Sequence, residues 1–177
     1  MILILGARLS GKSRWAEQRA RLSPRKRHYL ATMQPSGPEG EEIIRRHRAQ
    51  RAADGYITHE EYGSLAALNF GPADLVLVED VSNFLANMLF TEKMAPEAAM
   101  KQAVRELKQL ADNGAEVILV SLCCRLDEGN NDETRQFIST LNSLNDRLCD
   151  LAEEVVELRA GKAYWLKKRG EQMQRDG

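Results

Sequence analysis

The sequence opens on an apolar run, Met1 to Leu5, followed at once by Gly6-Ala7-Arg8-Leu9-Ser10-Gly11-Lys12-Ser13. The octet fits G-x-x-x-x-G-K-[ST], and residues 14–22 behind it have helical character. Strand, glycine-rich turn and helix in that order constrain the chain more than any other feature. The glycines let backbone N–H groups close round an anion, and the next helix adds the positive end of its dipole. Lys12 is then expected at the β- and γ-phosphates of a nucleoside triphosphate, and the Ser13 hydroxyl on Mg²⁺. All eight residues from Gly6 to Ser13 become candidate nucleotide contacts. The competing reading is a turn that only joins strand to helix; the complete octet in its strand–helix setting counts against it.

The remaining sequence alternates strand and helix. Strands are expected at 28–32, 56–60, 75–78 and 117–120, with helices at 41–53, 64–70 and 82–90, the last capped by Ser82. A helix opened by Pro96 and closed by Asn113-Gly114 follows, then a long helix to about residue 152. Residues 155–168 read as a hairpin turning at Ala160-Gly161. Uniformly apolar strands separated by helices point to a parallel sheet covered on both faces. The expected fold is therefore α/β, a three-layer P-loop NTPase-like architecture with a C-terminal antiparallel hairpin. At 177 residues the chain suits one nucleotide-binding domain over 1–170, with 171–177 expected to fray.

Net charge is −1, which supplies no global basic field for nucleic acid or an anionic membrane. No apolar run reaches the length of a membrane span, and the start lacks a signal peptide's features, so a cytoplasmic protein is expected. The three cysteines, Cys123, Cys124 and Cys149, have no metal-ligand spacing and read as reduced thiols. Cys123 and Cys124 follow an apolar strand, where buried packing is expected.

Two further elements carry chemistry. The strand at 75–78 ends in Glu79-Asp80, and phosphate-loop enzymes place an acid on Mg²⁺ at the end of a neighbouring strand. Acids also follow strands as helix caps. The second element is His47, which shares a helix face with Ile43 and Ile44 and is flanked by arginines. It reads either as a packed core histidine or as a nucleophile kept neutral by its cationic neighbours.

With these residues in place the chain resembles the adenosylcobinamide kinase/adenosylcobinamide-phosphate guanylyltransferase family of cobalamin biosynthesis. The loop Gly6 to Arg14 is similar to the family's Gly-Ala-Arg-Ser-Gly-Lys-Ser type sequence. Tyr29-Leu30-Ala31-Thr32 resembles a Tyr-Ile-Ala-Thr strand end. From Ala31 an ungapped spacing leads to Ile44-Arg45-Arg46-His47-Arg48, which is similar to Ile-x-x-His-Arg. Thr58-His59-Glu60, Asn87-Met88-Leu89, Leu144-Asn145-Asp146-Arg147-Leu148 and Ala152-Glu153-Glu154-Val155 continue the match. Residues 122–129 depart from it, lacking the family's Asn-Glu pair, glycines and proline.

The resemblance implies an enzyme that phosphorylates adenosylcobinamide and then transfers GMP from GTP onto that phosphate. It implies GTP and/or ATP as substrates, Mg²⁺ as cofactor, a corrinoid as second substrate, and a homotrimer or other homo-oligomer. His47 matches the family's covalent nucleophile, with Lys12 as its catalytic partner at the phosphates. Ala31, Thr32, Met33, Arg48, Ala49, Gln50, Arg51, Glu60 and Glu79 match positions around the nucleotide, and Ser13 with Glu79 would hold the metal.

Overall fold

A computed structural model describes residues 1–34, 45, 49, 51–124 and 131–170 of the chain. Seven strands form one sheet: β1 (Ile2–Gly6), β2 (Lys26–Ala31), β3 (Tyr56–Glu60), β4 (Asp74–Val78), β5 (Glu116–Leu122), β6 (Glu154–Arg159) and β7 (Lys162–Lys167). Their order is β3-β2-β4-β5-β1-β6-β7. Every pairing is parallel except β6 with β7, which is the expected hairpin. At its turn Ala160 and Gly161 both adopt positive φ, 47° and 78°, as a tight two-residue hairpin turn requires.

Alternation along the strands builds two cores. Leu3, Leu5, Val76, Val78, Val117, Leu119 and Val155 face the larger one. It is closed by α2 (Val81–Ala86), α3 (Pro96–Asp112) and α4 (Asp132–Leu151). Ile2, Ile4, Leu75, Leu77, Ile118, Val120 and Val156 face the smaller core, with Ala16 and Ala20 of α1 (Lys12–Arg21). Central strands buried on both faces need continuous apolar runs, and β1, β4 and β5 have them.

Three sequence expectations are corrected. Residues 64–70 form an irregular turn instead of a helix. Buried Glu106 of α3 accepts the Leu65 N–H at 2.7 Å and the Ser64 hydroxyl at 3.0 Å, so a distant carboxylate replaces helical partners. The cap of α2 is Asp80, whose side chain accepts the Ser82 N–H at 2.8 Å; Ser82 itself lies within the helix. After α2 the chain continues as a π-helical turn, Asn87–Thr91. Finally, β4 is not adjacent to β1, because β5 lies between the phosphate-loop strand and the acid-bearing strand.

Candidate functional site

The C-terminal ends of β3, β2, β4, β5 and β1 all reach the same edge of the sheet, where open parallel sheets place their ligands. At that edge β1 delivers Gly6 to Ser13. Gly6 is a glycine of necessity: a Cβ there would run into the Ser10 Oγ and lie 2.9 Å from the Leu158 carbonyl oxygen. The Ser10 N–H donates to the Ala7 carbonyl at 3.2 Å, folding the loop back. Gly11, with φ 91°, then enters α1 as its cap. Leu9 at the tip is 96% exposed and held at φ 62°, a conformation a leucine adopts only under constraint.

Lys12 is half-buried and Ser13 exposed in the first turn of α1, which has no acidic residue to occupy its positive end. The β6–β7 hairpin braces the loop from behind. The Gly161 N–H donates to the Ser10 carbonyl at 3.1 Å, and Trp165 packs edge-on against Trp15 at 6.0 Å.

Across from the loop lies a cleft of about 180 Å³ lined by Ser13, Glu17, Tyr29, Arg51, Tyr56 and Glu79, among others. Arg51 donates to Glu79 at 3.2 Å, and its guanidinium lies over the Tyr29 ring, 3.7 Å from the centroid. Burial pushes the Glu79 carboxyl above its ordinary range; Arg51 opposes that, while Asp80 and Glu17 reinforce it. Burial likewise pushes the Tyr29 phenol up. The Glu79 carboxylate and the Ser13 hydroxyl face one cleft, a donor pair that suits Mg²⁺, which takes most of its ligands from water and phosphate. Asp80 serves as the cap of α2, while Glu79 is engaged by Arg51. Among the described residues no cluster of three or more His, Cys, Asp or Glu offers a ready-made metal cage.

The other expected positions are spread along the edge. Ala31 and Thr32 are buried and Met33 is half-buried at the end of β2. The Thr32 hydroxyl donates to the Asp80 carbonyl at 2.8 Å, tying the ends of β2 and β4. Glu60 ends β3 in register with Ala31 and accepts the Tyr62 hydroxyl at 3.4 Å. Four strand spacings separate β3 from β1, roughly 19 Å, so Glu60 is remote from the phosphate loop. Ala49 is exposed and helical, and 51–53 are helical. His47, Arg48 and Gln50 lie outside the described residues.

Several residues at this edge were not singled out by their chemistry. The Asn87 amide donates to the carbonyls of Thr32 and Tyr62, each at 2.8 Å, which clamps the chain leaving β2 to the loop after β3. Asn145 accepts the Ser121 hydroxyl at 2.7 Å and donates to the Leu122 carbonyl at 3.0 Å, holding the end of β5. Both asparagines stood in the sequence motifs, and the structure gives them mechanical roles. On the opposite face of β2, His28 bridges His59 at 2.9 Å and Asp74 at 3.1 Å, with Phe70 against both rings. That chain had no sequence signal, because its members come from three strands.

Similarity to solved structures is at the level of fold. The RadB recombinase matches with TM-score 0.56 at 14% identity, over 98% of this chain and 83% of that one. A protein of Pyrococcus horikoshii OT3 matches with TM-score 0.51 at 12% identity, over 95% and 86%. An ATPase of the type III secretion system of pathogenic bacteria matches with TM-score 0.50 at 10% identity, over 88% and 50%. These likenesses support the P-loop NTPase-like α/β fold. Curated protein sequences give no match. The sequence profile for cobinamide kinase / cobinamide phosphate guanyltransferase matches residues 2–166, nearly the whole chain. Phosphate loop, sheet order and profile agree, and the chain belongs to the cobinamide kinase / cobinamide phosphate guanyltransferase family.

Proposed function

We propose that this protein phosphorylates the hydroxyl of adenosylcobinamide and then transfers GMP from GTP to the new phosphate through a GMP–His47 adduct. The observation that carries the reading is the convergence of Ser13, Arg51 and Glu79 on one cleft beside Lys12 and the phosphate loop. Arg51 lines this cleft, and His47 precedes it by four residues in the same arginine-rich stretch of sequence.

In the guanylyl half, a neutral imidazole nitrogen of His47 attacks the α-phosphate, and the bond to the pyrophosphate oxygen breaks. The phosphate of adenosylcobinamide phosphate then displaces His47 and takes the GMP. In the kinase half the substrate hydroxyl attacks the γ-phosphate of ATP or GTP. Lys12 and the loop amides hold the β- and γ-phosphates and neutralise charge as it moves. Ser13 and Glu79 would hold Mg²⁺, which when bound would supply charge balance at the departing phosphate oxygens. The resemblance also favours a homo-oligomer, which light scattering measures directly.

GTP labelled at the α-phosphate tests the proposal. The native protein should take up an acid-labile, base-stable label, as a phosphoramidate does, and His47→Ala should take up none while keeping its fold. Lys12→Ala should lower turnover by about a hundredfold. An unlabelled native protein under conditions where it binds GTP would overturn the His47 step.

A further inference from the structure

Cys123 and Cys124 were expected to pack inside the fold, and the structure corrects this: Cys123 is exposed and Cys124 half-buried, while Cys149 is the buried one. Both leave the end of β5, the strand between β1 and β4, and so stand between the phosphate loop and the Glu79-Asp80 pair. The Cys123 N–H donates to the Gly6 carbonyl at 3.0 Å, which fixes the pair against the first residue of the loop. Register agrees, since Gly6 lies opposite Leu122. Cys124 interacts electrostatically with Cys123, Lys12 and Asp80. Burial pushes the Cys124 thiol above its ordinary range, and the Lys12 charge opposes that.

We propose that Cys123 and Cys124 form a vicinal dithiol site for thiophilic trivalent ligands of the arsenoxide type, and that its occupancy excludes nucleotide from the phosphate loop. The inference rests on the reading of Gly6 to Ser13 as a triphosphate site. Neighbouring residues place two sulfurs on one short stretch of backbone, so that one trivalent atom can close a ring through both. The chemistry balances without an oxidant. An arsenoxide, R–As=O, loses its oxygen; two As–S bonds form, and the two thiol protons leave with that oxygen as water. Arsenic remains trivalent and the sulfurs remain reduced. The bulk of the adduct then stands at the end of β5, against the first residue of the phosphate loop, where it would crowd a bound nucleotide.

Phenylarsine oxide is the probe, with intact mass and GTP titration as two separate readouts. One adduct per chain is expected. It should weaken GTP binding by about tenfold or more, be removed by a dithiol more readily than by a monothiol, and form more slowly when GTP is already bound. Cys123→Ser and Cys124→Ser should each lose the adduct, and Cys149→Ser should keep it. Cys123→Ala serves as the second variant should the serine disturb the strand end. Absence of an adduct, an adduct that follows Cys149, or unchanged GTP affinity in the modified protein would overturn the proposal. Failure of the untreated protein to bind GTP would instead overturn the phosphate-loop reading, while the adduct mass still reports on the thiols.

Discussion

The two walls of the cleft are built in different ways. The phosphate loop is a contiguous octet, shaped by bonds between near neighbours such as Ser10 to Ala7, and by one left-handed glycine at the mouth of α1. The facing wall gathers Tyr29, Arg51 and Glu79 from three distant stretches of sequence. The first wall is shaped mainly by near neighbours and braced from outside by Gly161 and Cys123, and the second holds only while the order of β2 and β4 and the Arg51–Glu79 pair are kept. On stability, mutations at the loop's glycines should therefore act through sterics, and mutations in the facing wall through charge.

The sharpest way to break the loop is Gly6→Ala. The added methyl meets a backbone carbonyl of β6, which cannot swing away as a side-chain tip can. A loss of about 3 kcal/mol is expected, the upper end of overpacking effects. Chemical denaturation measures it, and an unchanged midpoint would show that the loop is more yielding than its geometry implies.

Arg51→Met attacks the other wall. It leaves the Glu79 carboxyl buried without its cation, at a cost of about 2 kcal/mol, below the range for fully buried pairs because Glu79 can take up a proton. The sign follows from that raised carboxyl. A raised folded-state value favours the protonated form, so its contribution to stability is present below the ordinary carboxyl range and lost as pH rises through the folded value. Removing Arg51 raises the Glu79 value further. The melting temperature of the variant should therefore fall more at pH 8 than at pH 5, and a deficit independent of pH would point to lost packing on Tyr29 instead.

A smaller effect concerns the histidine chain behind the second wall. Burial, followed by the neighbouring His28, lowers His59 below its ordinary value, with Lys26 adding to this and Glu61 opposing it. Hydrogen bonding to the Gly71 N–H, then to His28, holds Asp74 low. A lowered histidine favours the neutral form, so its contribution is present above about pH 6.5 and lost as pH falls through the folded value. Thermal melts of the native protein and His59→Gln between pH 7.5 and 5 should diverge at the alkaline end and converge at the acid end. Parallel curves would remove His59 from the account. The smallest effect is expected of Leu9→Gly. Relief of the left-handed leucine and the greater freedom of the unfolded glycine nearly cancel, leaving a change within about 0.5 kcal/mol. A large shift in either direction would show that the exposed tip has contacts beyond its own turn.

The same contrast explains what could be read from the sequence. The phosphate loop, β1, β3 and the turn at Ala160-Gly161 were legible because their signals are local: an apolar run, a motif, a pair of turn residues. The irregular turn at 64–70 was not, since the carboxylate that replaces its helical bonds belongs to Glu106. Nor was the place of β5 between β1 and β4, which no local pattern encodes. Glu79 was legible as an acid after a strand, but Tyr29 under Arg51 was visible only as a strand residue. Asn145 was marked by its motif, yet its work at the end of β5 depends on a serine from another element.

The position of β1 has a consequence for how the molecule is made. It is paired on one side with a strand that begins at Glu116 and on the other with one that begins at Glu154, and its loop is tied to Gly161. β1 thus pairs only with strands that lie far along the sequence. Until residue 161 has joined, an apolar strand and a phosphate loop wait without their supports, and a chain that stops early lacks the hydrogen bond that braces Ser10. The phosphate loop is therefore complete only where the sheet has closed around β1.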